Sequence, residues 1–176
     1  DIIIPGQKIH NCRHFMDFPD VFKEYKKPIE RTSFPHPEFD NQDRITDVIT
    51  KKDVLLTFPY HTFNHVIDLL REAAMDPDVK SIQLTAYRLA SNSKIVNALI
   101  NAVRNGKEVT VMLELRARFD EEANLEWKER LELEGVKVLV GLPNKKLHAK
   151  HCVIKKRVNN KTIQYGLVST GNLNEK

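Results

Sequence analysis

From about residue 53 onward, hydrophobic and polar positions follow two alternating spacings that predict strands and helices in turn. Short apolar runs, typical of strands, are each followed by a segment with apolar residues at helical spacing. The predicted strands are 53–58, 81–86, 108–115 and 136–140, and the predicted helices begin near Thr62, Ser93 and Asp120 and end near Asn105 and Gly135. Strand and helix units in succession indicate an α/β layer architecture.

Two further apolar runs, 151–154 and 163–168, follow the last of these units, with a polar turn at 158–161 between them. Two strands joined by so short a turn are typical of an antiparallel hairpin. Parallel strand and helix units that are followed by a hairpin predict a mixed sheet with helices on both faces.

The first 40 residues have a different pattern. They show no sustained period of about 2 or 3.6 residues. Their prolines are Pro5, Pro19, Pro28, Pro35 and Pro37. We therefore expect an extended connector, or the tail of a preceding domain, over 1–40 and one folded domain over 41–176.

Composition places the chain among ordinary globular proteins, with 41% hydrophobic and 30% charged residues. No apolar run approaches the roughly 18 residues that a membrane span needs, and the first residues lack the pattern of a secretory signal. Cys12 and Cys152 fit neither a disulfide framework nor a metal-binding spacing, so we expect a reducing, cytoplasmic location. The formal net charge is +4, and basic residues crowd around His148: Lys145, Lys146, Lys150, Lys155, Lys156 and Arg157.

His148 and Lys150 are the first candidates for chemistry. They stand at the start of a predicted strand, where the period of 2 puts both side chains on one face. An imidazole can attack phosphorus while the neighbouring ammonium holds a phosphate oxygen. The tripeptide alone is weak, because such a pair is more often part of an exposed strand or a solvated basic hairpin.

The segment 169–174 follows the partner strand and should lie beside His148. The amides of Asn172 and Asn174 next to Gly171 suit a phosphate cradle, although Gly-Asn is also a common turn.

Two arginines, Arg88 and Arg118, follow predicted strands. They are expected at the carboxyl edge of the sheet, where α/β proteins bind ligands. A helix cap or a structural ion pair is the alternative role for each, and Arg116 competes with Arg118.

A His-x-Lys motif followed by Gly-Asn-x-Asn resembles the active-site motif of the phospholipase D superfamily. That superfamily usually has an aspartate five residues after the lysine, where this chain has Lys155. This departure resembles the polyphosphate kinase family, as do five segments in order. They are 58–63, 86–88, 114–124, 147–150 and 170–176, of which the Ala-Arg-Phe-Asp-Glu-Glu-Ala-Asn run at 117–124 is the most specific.

This resemblance implies a phospholipase-D-like catalytic domain, the first of two in the family, with the second absent from this chain. It implies reversible transfer of the terminal phosphate of ATP to inorganic polyphosphate, with ADP as the other nucleotide and Mg²⁺ as cofactor. His148 matches the family's phosphorylated histidine, and Lys150 would assist it.

The resemblance also implies roles for the two arginines. Arg88 and Arg118 match residues that the family associates with magnesium-bound phosphates. Because arginine has no lone pair to give a cation, we interpret them as phosphate contacts rather than magnesium ligands. Lys150, Asn172 and Asn174 would complete the phosphate site.

The implied partners are ATP, polyphosphate and the rest of the same enzyme, including N-terminal domains, in a homo-oligomer. Peripheral attachment to the inner membrane is the alternative to a purely cytoplasmic location. Since the family's second domain contributes another essential histidine, we expect the chain to fold but to have little or no kinase activity alone.

Two other functions compete with the kinase. One is a phosphodiesterase, and the other is a non-catalytic polyanion-binding module. Acidic helices and the lack of an aromatic platform among the lysines argue against nucleic acid as a partner. The two histidine sets with metal-like spacing, His10, Cys12 and His14 and the pair His61 and His65, lack further ligands nearby, so we expect surface or packing roles for them.

Overall fold

The computed structural model describes residues 19, 21, 32–40, 44–87, 89, 92–114, 121–141, 145 and 147–173, with the backbone alone at 121–123. The chain divides into two compact units, 1–32 and 33–176. In the first unit the backbone N–H of Val21 donates to the carbonyl of Pro19 across 2.8 Å.

The described helices and strands lie in the second unit. The helices are α1 (Ile45–Ile49), α2 (Asn64–Met75), α3 (Lys94–Arg104) and α4 (Glu121–Leu133), and a 3-10 turn spans Pro37–Phe39. The strands are β1 (Val79–Ala86), β2 (Glu108–Leu113), β3 (Lys137–Val140), β4 (Lys150–Val158) and β5 (Lys161–Ser169).

The five strands form one mixed sheet in the order β3-β2-β1-β4-β5. β1, β2 and β3 run parallel, whereas β4 is antiparallel to both β1 and β5. The predicted α/β fold with a mixed sheet and a terminal hairpin is thereby confirmed. Asn159 and Asn160 make the hairpin turn with φ of 50° and 61°, the left-handed pair that a two-residue turn of this kind requires.

One face of the sheet carries the hydrophobic core. The register aligns buried residues across three strands: Ile82 and Leu84 of β1, Val109 and Val111 of β2, and Ile154 and Cys152 of β4. The apolar stripes of α2 and α3 and two side chains of α4, Trp127 and Leu131, belong to the same core. Each buried aliphatic side chain stabilises the fold by about 1.5–3 kcal/mol. On the opposite face, Gln83 is exposed.

The prediction of a strand at 53–58 is wrong, because these residues form no strand in the described structure. Val54 and Leu56 pack partly buried against the core, while Leu55 is 81% exposed. The alternating hydrophobic pattern of this segment therefore arises because one side of it packs on the core, although no strand pairs with it among the described residues. Phe34 forms an isolated parallel bridge with His61 just after this segment.

The helix ends match the predicted capping residues in most places. The Ser93 hydroxyl accepts the Val96 N–H across 3.3 Å, which confirms the predicted cap of α3. Gly135, with φ of 85°, follows α4 as predicted. α2 differs, since it begins after Phe63 and the Thr62 hydroxyl instead accepts the Asn64 N–H across 3.3 Å.

Two acidic residues at the end of α2 fasten neighbouring elements. The Glu72 carboxylate accepts the N–H groups of Ile45 and Thr46 at 2.7 and 2.9 Å, which caps α1. The buried Asp76 carboxylate accepts from Lys156 of β4 at 2.6 Å and from Arg44 at 3.2 Å.

Burial alone would raise the pKa of Asp76. The hydrogen bonds from Lys156 and from the Asp78 N–H, together with the nearby positive charges, hold that pKa below its ordinary value. The carboxylate therefore stays ionised and ties α1, α2 and β4 together. Among the described residues, no helix has the length and apolar character needed to cross a membrane.

Candidate functional site

The strand ends bring the candidate residues to one edge of the sheet. β1 and β2 end at this edge, and the antiparallel β4 begins there, with Lys150 paired to Ser169 of β5. We call the residues 85–87, 114, 147–150 and 169–172 the site edge. His148 and the Gly171 turn both belong to it, as the sequence pattern predicts.

Tyr87 links the two residues of the His-x-Lys motif. The rings of Tyr87 and His148 meet edge to face, with centroids 6.2 Å apart and planes at 68°. The Lys150 ammonium lies 5.3 Å from the centroid of the same Tyr87 ring, within cation–π distance. The imidazole and the ammonium are therefore both placed against one aromatic ring.

The two motif residues differ sharply in exposure. His148 is exposed, and β4 begins only two residues later, whereas Lys150 is 4% exposed. Because a buried ammonium needs compensating partners, the negative face of the Tyr87 ring is a fitting neighbour for it. An accessible imidazole beside a fixed, shielded cation can receive an anionic substrate and hold one of its oxygens.

Thr85 joins β1 to the backbone on either side of Lys150. Its hydroxyl accepts the His151 N–H across 2.9 Å and donates to the Ala149 carbonyl across 2.8 Å, with a longer 3.4 Å contact to the His151 carbonyl. Thr85 is buried, at 5% exposure. The start of β4 is thus fixed to the end of β1 by a side chain.

Glu114 fixes the backbone just before His148. Its buried carboxylate accepts the Leu147 N–H across 2.7 Å. The side-chain amide of Asn124 in α4 donates to the carbonyls of Glu114 and Tyr87, at 2.9 and 3.1 Å. Asn124 therefore holds the ends of β1 and β2 together beneath the site edge.

The Gly171 turn closes the site edge on the β5 side. The Ser169 hydroxyl accepts the Gly171 N–H across 3.2 Å and donates to the Gly171 carbonyl across 2.9 Å. Asn172 is exposed, and Leu173 is buried. Apart from its two chain neighbours, no described residue has an atom within 4 Å of the point that a Cβ at Gly171 would occupy, so the described residues leave space beside the turn.

Several predicted residues lie outside the described residues. They are Arg88, Arg116, Arg118 and Asn174, together with His10, Cys12 and His14 of the first unit.

Comparison with known proteins places this geometry in a family. Residues 44–176 match the model of the polyphosphate kinase C-terminal domain 1. The chain belongs to the polyphosphate kinase C-terminal domain 1 family. The curated polyphosphate kinases of Vibrio vulnificus strain YJ016 and Escherichia coli strain K12 are 43% and 45% identical over 176 and 181 aligned residues.

A solved structure agrees with the family match. The crystal structure of polyphosphate kinase from Porphyromonas gingivalis is similar to this chain with a TM-score of 0.74 and 36% identity, over 99% of this chain and 29% of that one. The alignments with the Vibrio and E. coli kinases cover all of this chain but only 25% and 26% of those relatives. The chain thus spans about a quarter of the length of the curated polyphosphate kinases that it matches.

The described part of this polyphosphate kinase domain does not fit a magnesium site built from protein ligands. Mg²⁺ prefers carboxylate and other oxygen ligands. The described residues contain no group of three or more His, Cys, Asp or Glu side chains that could hold a metal ion. At the site edge the Glu114 carboxylate already binds the Leu147 N–H.

Lys155 and Cys152 lie away from this chemistry. Lys155 stands five residues along β4 from Lys150, which places it about 16 Å from the site edge. At that distance neither Lys155 nor an aspartate at the same position would touch His148. Cys152 faces the core, and burial raises the pKa of its thiol to about 12, so it is no nucleophile.

The sequence analysis missed Thr85, Tyr87, Glu114 and Asn124 as site residues. Tyr87, Glu114 and Asn124 stand inside the family-like segments, but their local sequence indicates no role for them. The pattern that could have identified Glu114 is a charged residue at the end of an apolar run. Nothing in the local sequence marks Thr85, because its partners come from β4.

His61 and His65 were considered as metal ligands because of their spacing. In the structure each ring instead makes a contact within the fold. His65 Nε2 accepts the backbone N–H of His36 across 2.9 Å, and His61 Nδ1 accepts that of Thr57 across 2.9 Å.

Proposed function

We propose that this domain, as part of a longer enzyme, transfers the terminal phosphate of ATP reversibly to inorganic polyphosphate through a phosphohistidine at His148. The observation that carries the proposal is the exposed His148 imidazole at the end of the sheet, held against the same Tyr87 ring as the buried Lys150 ammonium. Membership in the polyphosphate kinase family supplies the substrate class.

The first step is in-line attack by an imidazole nitrogen of His148 on the γ-phosphorus of ATP. The new P–N bond forms as the bond from the γ-phosphorus to the bridging oxygen breaks, and ADP leaves with that electron pair. In the second step a terminal oxygen of polyphosphate attacks the phosphohistidine. The P–N bond breaks, the chain grows by one phosphate, and the imidazole returns to its starting state.

Catalysis by these residues is positioning together with stabilisation of charge on the transferred group. A phosphoryl group in transfer spreads negative charge over its equatorial oxygens. The Lys150 ammonium lies against the same Tyr87 ring as His148, and the Asn172 amide is exposed beside the Gly171 turn. Arg88, Arg118 and Asn174, which lie outside the described residues, complete the proposed phosphate contacts.

Magnesium enters this proposal as a companion of the nucleotide phosphates. The donor set at the site edge is suited to phosphate oxygens, and Arg88 and Arg118 would touch the metal-bound phosphates without ligating the metal. No step above is assigned to the ion.

The wider organisation belongs to the same proposal. We place the catalytic domain at 41–176 and a connector at 1–40, with a second phospholipase-D-like domain and N-terminal domains contributed by the longer enzyme. Homo-oligomerisation and a cytoplasmic location, with peripheral attachment at the inner membrane as its alternative, stay predictions.

The decisive experiment incubates the full-length enzyme with γ-labelled ATP. An acid-labile, base-stable phosphoryl mark is expected on the protein, and His148→Ala should abolish both the mark and polyphosphate synthesis. The matched control is His151→Ala, which removes the second histidine in the same segment. The His151→Ala enzyme should keep both the phosphoryl mark and polyphosphate synthesis, because the His151 ring is not part of the proposed site.

A label that persists in His148→Ala would overturn the assignment. Turnover of a chromogenic phosphodiester by the unmodified enzyme, without protein labelling from ATP, would favour the phosphodiesterase alternative.

A further inference from the structure

The ladder between β1 and β4 stops short of the site edge. Regular pairing ends at Leu84 and Cys152, although both strands continue toward the edge. The next residue of β1 is Thr85. Its side-chain hydroxyl, rather than its backbone, makes the hydrogen bonds to β4. The Thr85 side chain therefore bridges β1 and the start of β4.

The two Thr85 bonds hold the two peptide groups that flank Lys150. One fixes the carbonyl of Ala149, directly after His148, and the other fixes the N–H of His151. With both neighbours fixed, the Cα of Lys150 has one orientation, and its ammonium lies over Tyr87. Tyr87 is itself two residues from Thr85, so one strand end places both the ring and the lysine.

We propose that Thr85 is a positioning residue for phosphoryl transfer, which sets His148 and Lys150 at their working separation through its two-way hydrogen bond. The inference rests on the proposed function of His148. It assigns to Thr85 no contact with substrate. Its effect on the reaction passes through the backbone of residues 149–151.

A hydroxyl is suited to this role because it donates and accepts at once. Valine has nearly the shape of threonine but offers neither bond, and it leaves the Ala149 carbonyl and the His151 N–H without their partner. Serine keeps both bonds and loses one methyl group. The two replacements therefore separate hydrogen bonding from packing.

The test compares Thr85→Val and Thr85→Ser in the full-length enzyme. Single-turnover experiments with γ-labelled ATP measure the rate of protein labelling, and steady-state kinetics measure kcat and the KM for ATP. Thr85→Val should slow labelling and lower kcat about 10- to 100-fold, as expected for a displacement near 1 Å, with little change in KM. Thr85→Ser should recover most of the rate.

Thr110→Val is the matched control. Thr110 pairs with Gln83, so its side chain lies on the same sheet face as Thr85, but on β2 and away from the start of β4. It should label at the unmodified rate. Thermal unfolding of each enzyme reports whether it is folded, and if Thr85→Val does not fold, Thr85→Cys takes its place because a thiol is a much weaker donor and acceptor.

The positioning role is overturned if the folded Thr85→Val enzyme labels at the unmodified rate, if Thr85→Ser is as slow as Thr85→Val, or if Thr110→Val slows labelling equally. His148→Ala is measured in parallel. Persistent labelling there would refute the phosphohistidine, whereas labelling that depends on His148 but not on Thr85 would refute the positioning role alone.

Discussion

At the scale of single residues, Gly166 is where the fold tolerates least change. Gly166 of β5 lies opposite Val153 of β4, with φ of 158°. A Cβ at this position would stand 1.9 Å from the carbonyl oxygen of Cys152 and 2.9 Å from its carbon. Both atoms are backbone of the neighbouring strand, so no side-chain movement relieves the clash.

We therefore expect Gly166→Ala to lower the free energy of unfolding by at least about 3 kcal/mol, the upper range for forcing an atom into a packed site. Urea unfolding of the chain, followed by circular dichroism, measures the change. Because the hairpin delivers both Lys150 and the Gly171 turn to the site edge, the same substitution should also reduce labelling of His148 in the full-length enzyme.

Gly106→Ala is a graded control for this prediction. Gly106 has φ of 78°, but apart from its two chain neighbours no described residue has an atom within 4 Å of the point that a Cβ would occupy there, so only the backbone conformation is penalised. Its cost should be about 1–2 kcal/mol. Equal costs for the two variants would mean that the clash with β4 is relieved by strand movement.

The site residues were predictable only in part, for reasons visible residue by residue. His148 and Lys150 are neighbours in sequence, and a strand's period brings them together without knowledge of the fold. Thr85 and Glu114 act on residues 149, 151 and 147, which are more than 30 positions away. Such contacts depend on which strands become neighbours in the sheet, and the local sequence does not show this.

At the scale of elements, three histidines connect residues 33–40 to the start of α2. The backbone N–H of His36 donates to His65 Nε2, and that of Glu38 donates to His36 Nδ1 across 3.1 Å. The rings of His36 and His61 lie 4.6 Å apart. Each bond needs an unprotonated ring nitrogen as its acceptor, so the bond from the His36 N–H favours neutral His65.

This arrangement predicts a dependence of stability on pH. Burial lowers the pKa of His65, nearby Asp68 opposes the shift, and His36 and His61 reinforce it. Below the ordinary value of 6.5, the unfolded chain binds a proton at His65 that the folded chain resists. The stability contributed by neutral His65 is therefore present above pH 6.5 and is lost as the pH falls through the lower, folded pKa.

His65→Gln tests this account, because a glutamine oxygen can accept the His36 N–H without titrating. We expect the unmodified chain to lose stability between about pH 7 and 5.5, and the variant to lose less over the same range. Urea unfolding at each pH gives the comparison. His151→Gln, at a partly buried position on β4, should keep the slope of the unmodified chain, and an identical slope in all three proteins would exclude His65 as its source.

The five strands of the sheet and the helices α2, α3 and α4 followed from the sequence, whereas α1 and the 3-10 turn at Pro37–Phe39 were not predicted and the strand predicted at 53–58 was wrong. The hairpin and the strands β1 to β3 were predictable because each has both the apolar pattern and a partner. The segment 53–58 has the same alternation, with Val54 and Leu56 against the core, but it has no strand beside it in the described structure. An alternating pattern predicts which side chains are buried. A strand forms only where a neighbouring backbone is also present to hydrogen-bond with it.

At the scale of the whole molecule, the chain corresponds to about a quarter of the polyphosphate kinases that it matches. In the proposed reaction, the site edge supplies His148 as the nucleophile, the buried Lys150 ammonium and the Gly171 turn on one side of the reacting phosphate. In-line transfer also needs groups that hold the leaving ADP and align the polyphosphate terminus on the opposite side of phosphorus. We propose that these come from the other domains of the longer enzyme.

The 176-residue chain alone should therefore fold cooperatively and yet synthesise little or no polyphosphate from ATP. Circular dichroism and urea unfolding check the first statement, and a polyphosphate assay at equal molar concentration against the full-length enzyme checks the second. The contacts that Thr85, Tyr87 and Glu114 make with residues 147–151 lie within the chain, so we expect the loss to come from missing contacts to substrate rather than from a displaced His148. Synthesis by the isolated chain at a rate near that of the full-length enzyme would show that the site edge is sufficient by itself.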